Sequence, residues 1–308
     1  MRHHIDTIIY GPLRSGTTMF RLMLKHHPRI SNTGEFDYLF DAANVDGGFS
    51  FDREVAFHDH GFHNFGFKVD PTLDDEALFD ALLAQVVALK PGIQTFNLHR
   101  HLDKALKLLP GVRVIKLHRD PRDVARSSLP MGFAGTLYHG VQHWIDTERT
   151  WDAVKPLLAP EDRLELRFED LVSNPETELA RVCAFMGVDY DPAMLDYDDS
   201  STYERPDARV AFKWKRTMSL ADVALCTCQA PDLIRSRGYD VPEGLHAPTP
   251  LGKLRLELAD KLGRWQFAVR RFGVGLTIAE KSTRWLGLRA QHNRIRDKQN
   301  VITEKYLK

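Results

Sequence analysis

The sequence feature that most constrains the fold is a glycine- and hydroxyl-rich turn near the start of the chain. Residues 5–10 form a short, largely apolar run that suits a buried strand, and the turn from Gly11 to Gly16 leads into residues with the apolar spacing of a helix. A strand, a tight turn and a helix in this order direct backbone N–H groups and the positive end of the helix at one point. The stretch therefore predicts a site for an anion such as phosphate or sulfate.

The spacing of this turn matches a nucleotide-triphosphate P-loop at all but one position. Thr17 and Thr18 follow the second glycine, where the P-loop has a lysine and then a hydroxyl residue. Arg14 supplies a cation inside the turn instead, so the turn can hold an anion but lacks the lysine that reaches the outer phosphates of ATP. A P-loop kinase and a glycine-rich turn with no ligand stay open as interpretations of this stretch alone.

Farther along, short apolar runs alternate with helical patterns, which is typical of an α/β fold with a central parallel sheet. Predicted strands end near Glu35, His99 and Arg119, and a further strand predicted over residues 65–71 contains Lys68. In an open α/β sheet, the chain that leaves the carboxyl ends of the strands lines the ligand crevice. We therefore expect Glu35 to face the same crevice as the opening turn.

A second anion site is predicted where the most apolar strand, residues 112–118, meets a helix. Asp120 suits the N-cap and Pro121 the first helical position, so a helix begins directly after Arg119. Arg119 at its mouth and Ser127 two turns in could both reach an anion beside this helix. A surface salt bridge is the alternative role for Arg119.

Two further groups of side chains invite a ligand. Residues 41–65 predict a loop or insertion that contains His58, His60 and His63, but no fourth metal ligand is evident, so solvated or acceptor-contacting histidines are the favoured interpretation. Lys215 and Arg216 belong to a basic cluster that suits either a clasp over an anionic ligand or a solvated basic face around a packed tryptophan.

Composition predicts an ordinary globular protein with a distinct tail. The 308 residues carry no net charge, yet residues 251–308 hold 14 lysines and arginines against 5 acidic residues. A Pro/Gly-containing linker before this helical segment divides the chain into a domain of residues 1–245 and a basic helical C-terminal appendage of residues 246–308. The appendage could cap the core, form a homodimer or contact a membrane surface peripherally. We expect no membrane span, a cytoplasmic location and three reduced cysteines.

Taken together, the two anion sites resemble those of the sulfotransferase family that uses 3′-phosphoadenosine 5′-phosphosulfate (PAPS). In that family a loop of the form Arg/Lys-Ser-Gly-Thr-Thr binds the 5′-phosphosulfate, and it stands here as Arg14, Ser15, Gly16, Thr17 and Thr18. The resemblance covers roughly residues 5–240. It implies an α/β, P-loop-like three-layer fold with a central parallel sheet, to which the helical appendage is added.

The same resemblance assigns the rest of the donor site. Arg119 and Ser127 match the family's 3′-phosphate site in residue type, order and spacing. Phe168, in a Phe-Glu-Asp-Leu element, replaces a tyrosine associated with the adenine, so stacking would survive without the hydroxyl contact.

The implied reaction is in-line transfer of a sulfuryl group from PAPS to an acceptor hydroxyl or amine. Arg14 and the loop N–H groups would stabilise the developing charge, and no metal is required. Glu35 resembles the glutamate base of tyrosylprotein sulfotransferases. His99 lies near the sequence position at which small-molecule members have a histidine base. Of these two candidates for the general base, Glu35 is preferred. Lys68 is the candidate for the second catalytic lysine, with a surface lysine as the alternative.

The acceptor stays open among small molecules, carbohydrates, lipids and peptide hydroxyls, and no nucleic-acid partner is expected. The rival functions are a P-loop-type kinase or phosphotransferase and a non-catalytic protein that binds adenosine phosphates. Residues 131–151, rich in glycine and aromatic residues, suit a lid or acceptor wall, and core packing explains their tryptophans equally well.

Overall fold

The centre of the protein is a five-stranded parallel sheet in the order β2-β5-β1-β6-β7. The computed structural model describes residues 5–197 and 205–307, with side chains to residue 303. The sheet strands are β1 (Thr7–Tyr10), β2 (Ile30–Glu35), β5 (Ile93–Leu98), β6 (Arg113–His118) and β7 (Arg163–Arg167), and β3 (Ala43–Asn44) with β4 (Ser50–Phe51) form a separate antiparallel pair. This arrangement confirms the α/β fold with a central parallel sheet.

The middle strand explains why the sheet is parallel and covered on both faces. All four residues of β1 are buried, and β1 pairs in parallel register with β5 on one side and β6 on the other. Successive strand residues point to opposite faces, so Ile8 and Ile9 enter two different hydrophobic clusters. These clusters lie between the sheet and its two helical layers, which gives the three-layer architecture.

Helices cover both faces and continue into the tail. They are α1 (Thr17–His26), α2 (Asp37–Ala42), α3 (Arg53–Phe57), α4 (His60–Phe65), α5 (Asp75–Val87), α6 (Leu102–Leu108), α7 (Pro121–Ser128), α8 (Leu137–Gly140), α9 (Gln142–Val154), α10 (Phe168–Ser173), α11 (Pro175–Met186), α12 (Trp214–Thr217), α13 (Leu220–Thr227), α14 (Pro231–Ser236), α15 (Pro250–Trp285) and α16 (Arg289–Leu307). Short 3₁₀ turns join several of them, and α15 is interrupted at Gly273, where φ is 81° and ψ is 160°.

Two predictions for the region after β2 are wrong. Residues 65–71 do not form a strand: α4 ends at Phe65, Gly66 follows with φ of 75°, and an irregular segment leads to α5. The alternating aromatic residues instead pack on one another, because the Phe65 and Phe67 rings stack with centroids 4.0 Å apart. Residues 41–65 also hold regular structure, namely β3, β4, α3 and α4, rather than a plain loop.

The tail helix α15 packs against the segment between α7 and α8. Asp260, which is buried, accepts a hydrogen bond of 2.7 Å from the backbone N–H of Gly135. The backbones of Gly135 and Gly263 approach so closely that a Cβ on Gly263 would lie 2.7 Å from Gly135.

The domain boundary near residue 245 stays a prediction. Within residues 5–197 and 205–307, every helix is too short or too polar to cross a membrane.

Candidate active site

All five strands of the sheet deliver a predicted site residue at the same edge. Glu35 is the last residue of β2, and His99, Arg119 and Phe168 directly follow β5, β6 and β7. The opening turn follows β1 between them. Because the strands are parallel, their carboxyl ends meet at one crevice, as expected for a ligand site in an open α/β sheet.

The opening turn, residues 11–16, is a tight loop that only a glycine can complete at its end. Gly16 has φ of 95°, and a Cβ there would lie 2.3 Å from the ring of Phe168. Arg14 also adopts a left-handed conformation, with φ of 70°. The N-terminus of α1 follows at once, with Thr17 buried and Thr18 half-buried in its first turn. The loop therefore has the backbone of an anion cradle.

Hydrogen bonds join the two places where the sequence predicts anion sites. Arg14 donates a hydrogen bond of 2.9 Å from Nε to Ser127 Oγ, and Arg119 donates one of 2.9 Å from Nη1 to the carbonyl oxygen of Arg14. The Arg119 guanidinium also lies 4.0 Å from the centroid of the Phe168 ring. Phe168 is only 4% exposed, so its ring supports the loop and Arg119.

Several donors here are buried with no partner inside the described part of the chain. They are Ser15 Oγ in the loop, Arg119 Nε at the mouth of α7 and Arg126 Nε within α7. Burial lowers the pKa of Arg119, while the charges of Asp123 and Glu169 oppose that effect. Native proteins rarely leave buried donors unsatisfied, so this set fits an anionic ligand with phosphate-like oxygens.

The mouth of α7 is built as its sequence predicts. Asp120 caps the helix by accepting a hydrogen bond from the Arg122 backbone N–H, and Pro121 occupies the first turn. Trp214 of α12 is fixed to this end by hydrogen bonds of 2.9 Å to Asp120 and Asp123. Helix α12 therefore lies beside the predicted 3′-phosphate position.

The basic cluster is carried on this short helix. Lys215 and Arg216 are both exposed on α12, and Lys215 Nζ lies 5.0 Å from the centroid of the Phe212 ring. Arg216 donates a hydrogen bond to the carbonyl oxygen of Arg209. Their location is compatible with a clasp over a ligand at α7, and that role stays a prediction.

Glu35 and His99, the two candidate bases, form a pair. His99 Nε2 lies 3.5 Å from Glu35 Oε1, and His99 Nδ1 is 2.8 Å from the carbonyl oxygen of Gly11. Because a carbonyl oxygen only accepts, Nδ1 carries the proton and Nε2 faces the carboxylate. The Glu35 side chain is 46% exposed and that of His99 is 4% exposed, so the carboxylate is the open member of the pair.

The pair is charged in the neutral pH range. Burial lowers the pKa of His99, but the hydrogen bond with Glu35 and the charges of Asp37 and Glu35 outweigh burial and raise it to about 9. Burial opposes ionisation of Glu35 too, yet the His99 contact and the charges of Arg21 and Arg14 lower its pKa below the ordinary value. His99 is therefore an imidazolium with no lone pair to accept a proton, whereas Glu35 is a carboxylate.

Two supporting residues were not predicted from the sequence. Asp37 accepts hydrogen bonds from the backbone N–H groups of His99 and Arg100 and so fixes the turn after β5. His143 Nε2 lies 3.0 Å from the carbonyl oxygen of Leu13 and supports the loop from α9. No motif marks either residue, because both act through backbone groups that are distant in sequence.

Lys68 is not brought to this crevice. It is exposed in the irregular segment after α4, and its backbone exchanges hydrogen bonds of 2.8 and 2.9 Å with the side chain of Gln85 on α5. No contact joins its side chain to the Arg14 loop among the described residues. The strand that was expected to carry Lys68 to the crevice does not form.

The predicted acceptor wall borders a cavity. Residues 129–135 and α15 enclose a space of about 490 Å³, with Phe267 and Arg270 on the α15 side. This cavity begins two residues beyond Ser127, at the C-terminal end of α7.

Comparison with known proteins identifies the family. A family model described as "Sulfotransferase family" matches residues 7–192, which is more than half of the chain. The chain belongs to the sulfotransferase family. The match spans the Arg14 loop, the Glu35–His99 pair, Arg119 and Phe168. No curated protein matches this sulfotransferase.

Solved structures agree with this sulfotransferase in fold. It is similar to the sulfotransferase domain of the Synechococcus PCC 7002 olefin synthase, with a TM-score of 0.52 and 19% identity, over 79% of this chain and 98% of that one. It is also similar to the sulfotransferase domain from the curacin biosynthetic pathway, with a TM-score of 0.56 and 18% identity, over 79% and 100% of the two chains. Both likenesses confirm the P-loop-like fold.

Proposed function

We propose that this sulfotransferase takes PAPS as donor and moves its sulfuryl group to an acceptor hydroxyl, with Glu35 as the general base. The observation that carries the proposal is the joined anion site. Buried donors that have no partner among residues 5–197 and 205–307, Ser15 Oγ and Arg119 Nε, lie in the loop and at the mouth of α7, which are linked through Arg14. A sulfuryl donor that carries phosphate groups at both its 5′ and 3′ positions would supply hydrogen-bond acceptors at both places at once.

The bound donor supplies an activated sulfuryl group on a phosphate leaving group. Arg14 and the loop N–H groups hold the charge that develops as the bond from sulfur to the phosphate oxygen breaks and the bond from sulfur to the acceptor oxygen forms. Arg119 and Ser127 hold the 3′-phosphate. The leaving 3′-phosphoadenosine 5′-phosphate (PAP) keeps the bridging oxygen and its electron pair.

Glu35 accepts the proton that the acceptor hydroxyl loses. Its carboxylate is ionised and open to the crevice, while His99 lies behind it as an imidazolium held by Gly11. His99 is therefore a positioning residue that orients the carboxylate. The raised pKa of His99 favours Glu35 over His99 as the base, because a protonated imidazole cannot accept a second proton.

Transfer of radiolabelled sulfate from PAPS to a panel of alcohols and phenols tests the proposal. The expected result is one labelled product and equimolar PAP, with no transfer of phosphate from ATP and Mg²⁺. Transfer of phosphate with no transfer of sulfate would overturn it in favour of a kinase. Tight PAP binding without any transfer across the panel would favour a non-catalytic nucleotide binder.

A further inference from the structure

A cluster of possible metal ligands lies on the outer helices, far in sequence from the Arg14 loop. His58, His63 and Asp297 each offer one ligand atom, and these atoms all lie within 4.8 Å of one another. The sequence places two of them five residues apart but gives no sign of the third. Asp297 comes from α16, more than 230 positions later in the chain, and the fold brings it to the histidines.

The two histidines are held on a firm scaffold. His58 caps the end of α3, and Asp59 begins α4 by accepting a hydrogen bond of 2.7 Å from the Gly61 backbone N–H. Beneath them, the Phe57 and Phe62 rings pack with centroids 5.1 Å apart. The backbone positions of both histidines are thus fixed by capping and by aromatic packing, while His58 is half-buried and His63 is exposed.

An independent contact holds α16 against the same helices. Arg289 in the first turn of α16 lies 3.5 Å from Glu54 of α3. Asp297 is eight residues farther along, or about 12 Å at the rise of an α-helix. Helix α16 therefore comes close to α3 and α4 at two separate places, an exposed ion pair and the cluster.

We propose that His58, His63 and Asp297 bind a divalent transition-metal ion, with Zn²⁺ as the best fit, and that the ion fastens α16 to α3 and α4. Two imidazoles, one carboxylate and a water make a four-coordinate ligand set that Zn²⁺ accepts. At bond lengths of about 2.0–2.2 Å, tetrahedral ligand atoms are about 3.4 Å apart. The ligand atoms approach one another by up to about 1.4 Å to reach this, which half-buried and exposed side chains accomplish by small rotations.

The site is separate from sulfuryl transfer. Its ligands lie at the end of α3, on α4 and on α16, and α4 packs against the segment that follows Glu35, where Gly61 abuts the Tyr38 ring and the Phe65 ring contacts that of Phe36. The ion would fix the surface next to the helix that carries Asp37. The proposal does not depend on the identity of the donor or of the base.

Zinc binding by the full untagged chain tests the proposal. After removal of metal with EDTA, one Zn²⁺ is expected to bind, as measured by titration against a chromophoric chelator and by elemental analysis. Asp297→Asn and His63→Ala should each weaken binding by about 100-fold or more, since even residues that only support a metal ligand are worth 10- to 100-fold. His60→Ala is the matched control, because the His60 ring contacts Asn64 rather than the cluster.

A second readout follows the fastening of α16. Zn²⁺ should slow hydrogen exchange of α16 backbone amides in the wild type and in His60→Ala, and should leave exchange unchanged in Asp297→Asn. Failure of the wild type to bind Zn²⁺ would overturn the proposal. So would equal binding by wild type and Asp297→Asn, because another set of ligands would then hold the ion.

Discussion

Two charged regions of this sulfotransferase lie close together and differ in how their charges are balanced. Behind the sheet edge, buried Lys116 lies 2.7 Å from Glu148, which is also 2.6 Å from Arg237 and 3.2 Å from His118. At the crevice, the buried donors Ser15 Oγ and Arg119 Nε have no partner among the described residues. Each charged group of the first region lies within ion-pair distance of an opposite charge, whereas the second region leaves hydrogen-bond donors for a ligand.

The pKa values separate the carboxylate of the first region from the cation of the second, although burial lowers the pKa of Lys116 as it lowers that of Arg119. Burial opposes the charge on Glu148, but Lys116 and His118 lower its pKa far below the ordinary value. Arg119 has two neighbouring carboxylates and still has a lowered pKa, because burial outweighs their charges. A buried cation with incomplete compensation is stabilised by an incoming anion, whereas the Glu148 group gains nothing from one. The contrast therefore rests on hydrogen bonds rather than on pKa: Lys116 is bonded to Glu148, whereas Arg119 Nε has no partner among the described residues.

The largest expected effect is on turnover at the crevice. Glu35→Gln should lower turnover by about 10²- to 10⁴-fold, the usual worth of a positioned base, and leave PAP binding close to normal. Steady-state kinetics with PAPS and isothermal titration with PAP measure the two quantities. If His99→Ala lowers turnover this much while Glu35→Gln is nearly silent, the base is His99.

The next effect is on stability in the paired region. Glu148→Gln should lower the free energy of unfolding by about 3–5 kcal/mol, because it leaves buried Lys116 without its carboxylate and removes one of the two carboxylates paired with Arg237. Glu165→Gln is the matched control: Glu165 belongs to the same network, but its side chain is 37% exposed, so the expected loss is about 0–1 kcal/mol. Urea unfolding measures both. Equal losses of unfolding free energy in the two variants would mean that burial of the Glu148 ion pairs does not add to their effect on stability.

Two neighbouring arginines sharpen the comparison further. Arg119→Ala should weaken PAP binding by about 10- to 100-fold, the worth of hydrogen bonds to a charged group, with little loss of stability. Arg122 is 1% exposed and bonded to Asp120 and the Asp240 carbonyl oxygen, so Arg122→Ala should mainly lower the melting temperature. Calorimetric titration and thermal unfolding separate the two. If Arg122→Ala weakened PAP binding and Arg119→Ala mainly lowered the melting temperature, the ligand-binding role would belong to Arg122 and the structural role to Arg119.

The smallest effect concerns the pH dependence of the Glu35–His99 pair. Folding raises the pKa of His99 from 6.5 to about 9, so its contribution to stability is complete below pH 6.5 and is lost as the pH rises to about 9. In Glu35→Gln, burial should return the pKa of His99 to its ordinary value or lower. The loss of stability with rising pH should then disappear. NMR titration of the His99 ring measures the pKa. An unchanged pKa in the variant would rule out the pairing.

The sequence predicted the parts of the site that are encoded locally. The Arg14 loop, the capped start of α7 and the positions of Glu35 and His99 at strand ends all follow from short motifs and apolar runs. Contacts between distant segments could not be predicted: the Glu35–His99 pair joins residues 64 apart, and the Arg14–Ser127 hydrogen bond joins residues 113 apart.

The error around Lys68 has a different cause. Alternating aromatic residues suggested a strand, but the Phe67 ring packs against those of Phe65 and Phe62 in an irregular segment that has no partner strand among the described residues. Gly66 allows this because it turns the chain through a left-handed conformation. Apolar periodicity marks which side chains are covered, and tertiary packing decides whether a strand or an irregular segment covers them.

The most direct test of the central claim compares the binding of PAP and of adenosine 5′-phosphate, which differ only in the 3′-phosphate, by isothermal titration. Because buried donors at both the loop and α7 have no partner among the described residues, the wild type should bind PAP about 10- to 100-fold more tightly than adenosine 5′-phosphate. Arg119→Ala should remove most of that ratio. Equal affinity of the wild type for the two nucleotides would contradict the claim that α7 holds a second phosphate.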